Sequence, residues 1–295
     1  MITAPGGGGK PVPARTVRTP NSELPVHRTL LPALALLACA SLLSASFQPA
    51  AAGAVPPALA RAAARYAAEP IELQAPPALP PVAARVVSHG SRRDRLVALT
   101  FDACATHQAS GYDEAIVRVL VETRTPATLF LGGKWMLEHP AATRRLAAEG
   151  LFELAGHGFL HRRLTRIGDD EVRSELLWTQ AVMVALTGRQ GELVRAPYVE
   201  IDDRVARLSA ELGLTLVQGD LPAGDPDPAL GAERLRRHVI ASARNGSIVV
   251  LHVNGRGWHT AEALPGIVAG LRAKGFELVT VGEMLRRGAG AAASP

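Results

Sequence analysis

The chain has 295 residues, of which 47% are hydrophobic and 20% are charged, a composition typical of a globular protein with one sizeable core. Its formal net charge is +5, but residues 1–52 hold four basic residues and one acidic residue, so the other 28 basic and 26 acidic residues nearly balance. This balance leaves no basic stripe of the kind that binds nucleic acid, and we expect no nucleic-acid partner.

An apolar segment at 29–47, TLLPALALLACASLLSASF, follows the first basic residues and precedes a run of small residues. This order is typical of a signal peptide, and the segment is also long enough for an uncleaved membrane anchor. Cys39 weakly resembles a lipoprotein cleavage box, although an ordinary signal is the favoured interpretation. If the leader is removed, Cys104 is the only cysteine, which excludes an internal disulfide. We predict export to the periplasm, the cell envelope or the medium, with membrane contact through this segment alone.

Composition divides the chain into four parts. Residues 1–52 form the N-terminal region with the signal peptide or anchor. Residues 53–85 are rich in Ala and Pro and are predicted to be a linker, with one short helix near 59–67. Residues 86–287 are predicted to form the folded domain, and residues 288–295 form a tail.

Strand-like and helix-like stretches alternate through the folded domain. The clearest helix, at 169–188, has acids in its first turn and Gly188 at its end, and a shorter one at 140–150 begins with proline. The alternation predicts an α/β fold with a parallel sheet and outer helices, either a barrel or an open doubly wound sheet. The predicted strands are 95–101, 126–131, 151–155, 192–196, 214–219, 247–252 and 276–281.

In both architectures the active site lies at the carboxyl ends of the strands. Polar and titratable residues follow five of the predicted strands, and this convergence indicates a catalytic site. These residues are Asp102, His157, His161, Arg195, Tyr198, Asp220, Asp225, Asp227 and His252.

Each of these residues has alternative interpretations. On a helical turn, His157 and His161 would face one way and could share a metal ion, but two surface histidines at this spacing are common. Asp102 is a candidate general base, metal ligand or helix N-cap. His252 is a candidate acid that Asp225 orients, or a core histidine beside a simple turn.

The predicted strand at 192–196 leads into RAPY at 195–198. Two residues of this segment have candidate roles. Arg195 is a candidate partner for a carboxylate across the sheet, or an ordinary surface cation. Pro197 would fix the following turn, so that the backbone N–H of Tyr198 could point at a substrate oxygen.

Five segments in this order resemble the motifs of polysaccharide deacetylases of the NodB-homology type, carbohydrate esterase family 4. The resemblance covers about 86–287, nearly all of the predicted folded domain. The segments are TFDAC at 100–104, HGFLH at 157–161, RAPY at 195–198, GDLPAGDPD at 219–227 and VVLH at 249–252.

The resemblance implies a distorted (β/α) barrel of about seven parallel strands with outer helices. It also implies a divalent metal, often zinc, and hydrolysis of N-acetyl groups on a polysaccharide such as peptidoglycan, a chitin-like polymer or an exopolysaccharide. Carried over by position, Asp102 is the base that activates water, and His157 and His161 hold the metal.

The other matched positions carry the remaining family roles. The resemblance makes His252 the acid that protonates the departing amine, and Asp225 the residue that positions it. Arg195 sets the charge of the carboxylate cluster, the Tyr198 amide stabilises the oxyanion, and Leu251 lines the pocket for the acetyl methyl group.

The first motif departs from the family pattern at a metal ligand. Its usual second aspartate is Ala103, which cannot coordinate a metal, and two imidazoles are fewer than the three protein ligands typical of catalytic zinc. Cys104 or His107 is a candidate replacement. Gly158 replaces the usual Ser or Thr of the second motif, and Pro226 replaces the usual tryptophan of the fourth.

Two functions therefore remain in competition. The retained base, acid and histidine pair favour an exported, metal-dependent deacetylase, because a protein that only binds glycan needs no base and acid. Ala103 favours the alternative, a catalytically impaired glycan-binding protein of the same fold. A peptidase or esterase of the same fold is a third hypothesis, because activated water can attack other carbonyls.

Overall fold

A parallel sheet forms the centre of the part of the chain that the computed structural model describes, residues 55–106 and 110–292. The strand order is β1-β6-β5-β4-β3-β2-β8-β7, and β9 pairs with β2 beside this path. The strands are β1 (Val86–Val87), β2 (Leu96–Ala103), β3 (Ala127–Leu131), β4 (Phe152–Gly156), β5 (Leu193–Val194), β6 (Thr215–Val217), β7 (Leu221–Pro222), β8 (Ser247–His252) and β9 (Glu277–Leu278).

Helices follow most of the strands and cover the sheet. The helices are α1 (Pro57–Tyr66), α2 (Glu114–Glu122), α3 (Gly133–Glu138), α4 (Pro140–Ala148), α5 (Asp169–Thr187), α6 (Asp203–Glu211), α7 (Ala232–Ser242), α8 (Thr260–Ala273) and α9 (Val281–Ala292). Two 3₁₀ turns lie at Leu164–Arg166 and Pro197–Val199. The predicted α/β fold, a distorted (β/α) barrel of parallel strands with outer helices, is confirmed.

Strand number and length differ from the prediction in detail. Within the described residues β1 and β7 each span two residues, too few to show a hydrophobic period in the sequence. The predicted strands at 192–196, 214–219 and 276–281 shrink to β5, β6 and β9. Their remaining apolar residues are buried outside the sheet, and Val281 already begins α9.

Strand β2 lies at the centre of the sheet, and all eight of its residues are buried. It pairs with β3 on one side and β8 on the other. Because its side chains are buried on both faces of the sheet, the strand is almost continuously apolar. Asp102 near its carboxyl end is in register with His252 of β8. The register therefore places an acid and a histidine side by side at one edge of the sheet.

Helix α5 confirms the clearest helical prediction. Asp169, Asp170 and Glu171 occupy its first turn, where negative charge is favourable. The Glu171 carboxylate accepts a hydrogen bond from the Gly168 N–H at 3.1 Å. The helix ends at Gly188, which adopts a left-handed conformation with φ 69° that glycine accommodates without strain.

Residues 55–85, within the predicted linker, lie against the rest of the described chain. Leu59 and Ala63 of α1 belong to the main apolar core. Farther along, the Ala68 N–H donates to the Leu137 carbonyl at 2.9 Å, and the Val82 N–H donates to the Ala210 carbonyl at 3.0 Å. The segment is thus attached at several points along its length, while the domain bounds at 53, 86 and 288 stay predictions.

The predicted leader at 29–47 lies outside the described residues. Among the helices that the structure does describe, each is too short or too polar to cross a membrane.

Candidate functional site

Asp102 and Arg195 form a buried ion pair at the carboxyl edge of the sheet. Asp102 is 3% exposed and Arg195 follows β5 directly, with no exposed surface. Arg195 Nη1 donates to Asp102 Oδ1 at 2.6 Å and to Thr100 Oγ1 at 2.9 Å. The guanidinium also lies over the Phe130 ring at 4.0 Å. This pairing excludes the interpretation of Arg195 as a surface cation, and Asp102 caps none of the described helices.

The ion pair keeps Asp102 ionised. Burial of the carboxyl opposes ionisation, but the charge of Arg195, supported by two nearby histidines, holds the pKa of Asp102 below its ordinary value. Arg195 occupies Oδ1, and Oδ2 lies 3.8 Å from His157 Nε2. One carboxylate oxygen is therefore hydrogen-bonded to the guanidinium, and the other faces His157.

His157 and His161 meet on a bend after β4, where the sequence had suggested a helical turn. The chain instead turns through Gly158 and His161, which both have positive φ angles of 72° and 59°. The two imidazole centroids still lie 5.0 Å apart. A non-glycine residue at positive φ is strained, and such strain concentrates at functional sites.

The histidine nearer the strand has a defined hydrogen-bonding state. His157 is buried, and its Nδ1 lies 3.0 Å from the Arg195 carbonyl oxygen, which can only accept a hydrogen bond. Nδ1 therefore donates to this carbonyl, and Nε2 is the ring nitrogen that is left to bind a metal. This is the arrangement in which a protein orients a histidine for metal binding.

Glu175 of α5 holds the bend in place, although no motif of the sequence pointed to it. Its buried Oε2 accepts hydrogen bonds from the backbone N–H groups of Phe159 at 2.8 Å and Leu160 at 2.9 Å. Burial raises the pKa of Glu175, and these hydrogen bonds partly offset that effect. The available signal was an acid on the buried face of an amphipathic helix.

The same contacts explain Gly158, which stands where the family usually has Ser or Thr. A Cβ added at this position would lie 3.1 Å from Pro197 Cγ and 3.2 Å from Glu175 Oε2. With its positive φ, the position therefore suits glycine both sterically and conformationally.

Cys104 lies beside the two histidines and is a candidate third metal ligand. Its Sγ is 3.5 Å from His157 Nε2, and the ligand atoms of Cys104, His157 and His161 all lie within 4.8 Å of one another. Ala103 is buried in the main apolar core and offers no donor atom. The other candidate, His107, lies outside the described residues.

The donor set fits a soft divalent metal. Burial raises the pKa of the Cys104 thiol, but His157 and further hydrogen bonds from neighbouring histidines hold it well below its ordinary value. A thiolate and two imidazoles are ligands that zinc prefers. Cys104 and His157 are buried while His161 is partly exposed, so the site is closed on one side and accessible on the other.

His252 at the end of β8 is held by Asp225. Its Nδ1 lies 3.0 Å from Asp225 Oδ1, and its backbone N–H donates to Oδ2 at 2.8 Å. Thr260 Oγ1 also donates to Oδ2 at 2.8 Å. Burial lowers the pKa of His252, but the Asp225 carboxylate and two weaker negative neighbours raise it to about 10. The imidazole is therefore cationic at neutral pH and can donate a proton.

The remaining candidates divide between the site and its surroundings. Tyr198 is 51% exposed, has φ 61°, and its ring lies 4.7 Å from that of His161. Leu251 is fully buried in β8. Asp220 binds Arg92 and the Ile248 N–H at the start of β8, away from the site. Asp227 accepts from the Ala229 N–H within a turn.

Comparison with known proteins identifies the family of this chain. The sequence profile of the polysaccharide deacetylase family matches residues 89–217. A chitooligosaccharide deacetylase of Bradyrhizobium sp. (strain ANU 289) is 31% identical over 177 residues, which cover 55% of this chain and 80% of that protein. A peptidoglycan-N-acetylglucosamine deacetylase of Listeria monocytogenes is 27% identical over 194 residues, which cover 66% of this chain but only 40% of the Listeria protein.

A solved structure shows the same fold. The crystal structure of the Bc1960 peptidoglycan N-acetylglucosamine deacetylase superposes with a TM-score of 0.63 at 25% sequence identity, covering 68% of this chain and 92% of that one. The family profile, the relatives and the common fold indicate the same family. The chain belongs to the polysaccharide deacetylases with a NodB homology domain, carbohydrate esterase family 4.

Proposed function

We propose that the protein is a metal-dependent hydrolase that removes N-acetyl groups from a polysaccharide such as peptidoglycan, a chitin-like polymer or an exopolysaccharide. One observation carries the proposal. An ionised Asp102 and a cationic His252 lie in register on adjacent strands, beside the cluster of Cys104, His157 and His161. A base and an acid beside a metal-binding cluster are what amide hydrolysis by water needs.

Zinc is the metal that these donors suit, and Cys104, His157 and His161 would hold it. When bound, a divalent zinc ion polarises the acetamide carbonyl and makes water easier to deprotonate. In most family members an aspartate at the position of Ala103 supplies a negative charge to the metal. Cys104 supplies that charge here, so the absence of the carboxylate does not by itself remove the site.

The residues of the chain account for the proton transfers. Asp102 accepts a proton from the attacking water through the oxygen that Arg195 leaves free. His252 donates its proton to the departing amine nitrogen, and Asp225 stabilises the cationic imidazole before that transfer. The products are acetate and a free amino group on the sugar.

Two further roles follow from family membership. The backbone N–H of Tyr198, in the turn after Pro197, stabilises the developing oxyanion. Leu251 lines the pocket that takes the acetyl methyl group, next to the acid at the end of β8.

The competing function is glycan binding without turnover. The buried methyl group of Ala103 favours it, because this position normally supplies a metal ligand. The hydrogen-bonded pair of Asp225 and His252 favours the enzyme, because a protein that only binds glycan has no use for an oriented proton donor.

Acetate release separates the two functions. The purified full chain would be incubated with N-acetylglucosamine oligomers and with peptidoglycan, with zinc or with a chelator, beside the variant Asp102→Asn. Zinc-dependent release that disappears in Asp102→Asn supports the deacetylase. Retained glycan binding with no acetate from either substrate supports the binding protein.

We also propose that the protein is exported, with the segment at 29–47 as its signal peptide or anchor. The similarity to a peptidoglycan deacetylase supports a substrate outside the cytoplasm. Cell fractionation tests this placement, and a full-length protein found only in the cytosol would refute it.

A further inference from the structure

A cavity of about 680 Å³ opens beside the candidate metal site, and His161 and Tyr198 line both. Its volume falls within the roughly 300–1,000 Å³ typical of ligand pockets. Arg65 reaches it from α1, and Arg256 from the loop after β8. Segments far apart in the sequence thus build one pocket next to the proposed chemistry.

The charge of this cavity is one-sided. Among the described residues that line it, six are basic and none is acidic. Residues 53–295 as a whole hold 28 basic and 26 acidic residues, so the excess is local. The basic residues are Arg65, Lys134, Arg162, Arg163, Arg166 and Arg256.

Three of these cations have a carboxylate partner within the protein, and three do not. The pairs are Lys134 with Glu138 at 2.5 Å, Arg162 with Glu171 at 2.8 Å, and Arg163 with Glu200. Arg65, Arg166 and Arg256 form no ion pair with any residue that the structure describes. Their charges are therefore available to a bound anion.

An uncompensated group of arginines selects for a particular ligand. A cleft lined by one sign of charge concentrates the field and attracts the opposite charge. The guanidinium group matches the geometry of a carboxylate, to which it can donate two parallel hydrogen bonds. The exposed ring of Tyr198, which lies under the Arg163 guanidinium at 4.0 Å, adds apolar surface for a sugar.

We propose that this cavity binds carboxylate groups of the glycan, so that the substrate is an acidic N-acetylated polysaccharide. The inference rests on the proposed deacetylase function, because it places the acidic part of the polymer beside the sugar whose acetyl group is removed. Arg65, Arg166 and Arg256 are the specificity-determining residues.

Two chemically matched polymers test the inference. Carboxymethyl chitin and glycol chitin carry ether groups of similar size on the same backbone, and only the first is anionic. At low ionic strength we expect kcat/KM for carboxymethyl chitin to exceed that for glycol chitin by about tenfold, and the preference to shrink as salt screens the charges. Equal kcat/KM for the two polymers at low salt would overturn the proposal.

Arginine variants locate the source of the preference. In the double variant Arg166→Gln/Arg256→Gln, kcat/KM for carboxymethyl chitin should fall to within about twofold of kcat/KM for glycol chitin, since each exposed charge contact contributes modestly. Arg118→Gln is the matched control, because Arg118 is also exposed and without an ion pair among the described residues but lines a different cavity. A ratio that survives in the double variant, or falls equally in the control, contradicts the assignment.

Binding keeps this test separate from that of the proposed function. Equilibrium binding of both polymers to the full chain would be measured with a chelator present, so that no turnover occurs. If the zinc-loaded protein releases no acetate but the chelated protein binds carboxymethyl chitin more tightly than glycol chitin, the deacetylase function is refuted and the acidic-glycan site is supported. Equal binding of the two polymers would refute that site, whatever the activity.

Discussion

Cys104 Sγ lies 3.5 Å from His157 Nε2, beside an alanine where the family usually has a ligand. The thiol occupies the position next in sequence to the missing carboxylate and joins His157 and His161 in one cluster. A chain with alanine at position 103 thus has another donor atom in reach of the same cluster.

Replacement of Cys104 should weaken zinc binding strongly. Loss of a residue that merely orients a ligand commonly costs 10–100-fold in metal affinity, so we expect Cys104→Ala to raise the zinc Kd by more than about 100-fold. Titration of zinc against a chromophoric chelator measures this constant. With cobalt bound instead, the near-ultraviolet thiolate charge-transfer absorption should be present in the wild type and absent in the variant.

The other cysteine provides the matched control. Cys39→Ala, in the predicted leader, should leave zinc affinity and the cobalt spectrum unchanged. His107→Ala tests the competing candidate. Unchanged zinc affinity in Cys104→Ala would eliminate the thiol, and unchanged affinity in both variants would eliminate both candidates for the third ligand.

Asp225 should control the alkaline side of the pH profile. His252 has a pKa of about 10 and must be protonated to act as an acid, so activity should be present below this value and decline as the pH rises through it. Asp225→Asn removes the main group that raises the pKa, and the alkaline decline should move to lower pH by roughly 1–3 units. The profile of kcat/KM against pH measures the shift.

Asp227→Asn serves as the control for this experiment, since Asp227 caps a nearby turn without contacting the histidine. Its alkaline decline should coincide with that of the wild type. If Asp225→Asn loses activity equally at every pH, Asp225 has a structural role only.

Glu175 should support both stability and metal binding. Glu175→Ala leaves the N–H groups of Phe159 and Leu160 without their acceptor, and an unsatisfied buried group costs about 1–3 kcal/mol. Urea unfolding should show this loss, and zinc affinity should fall because the bend carries His161. Glu175→Gln keeps an acceptor oxygen and should lose less on both measures. Zinc affinity unaffected in Glu175→Ala would show that the histidine pair holds its own geometry.

The packing of α1 predicts that the segment before residue 86 contributes to stability. Leu59 is 1% exposed, and truncation of such a side chain commonly costs about 2–5 kcal/mol. Leu59→Ala should therefore lower the thermal unfolding temperature clearly, whereas Val82→Ala, at a side chain that is 39% exposed, should change it little. Equal unfolding temperatures for Leu59→Ala and the wild type would indicate that α1 is only loosely attached.

Much of the site could be predicted from the sequence, because it follows from the order of local patterns. Apolar runs that end in Asp102, Arg195 and His252 predict parallel strands, and the carboxyl ends of parallel strands meet at one edge. The family motifs then supply the roles of these residues. The helix at 169–188 could also be predicted from the sequence, since the acids in its first turn and its terminal glycine are local signals.

Other features were decided only by tertiary structure. Nothing local distinguishes Cys104 from His107 as a ligand, or marks Glu175 as the acceptor for a bend sixteen residues away. The Ala/Pro-rich composition of 53–85 reads as a spacer, yet α1 packs into the core and brings Arg65 to the cavity. These relationships join residues that are distant along the chain. They depend on how helices pack on the sheet, which the hydrophobic pattern of a single segment does not specify.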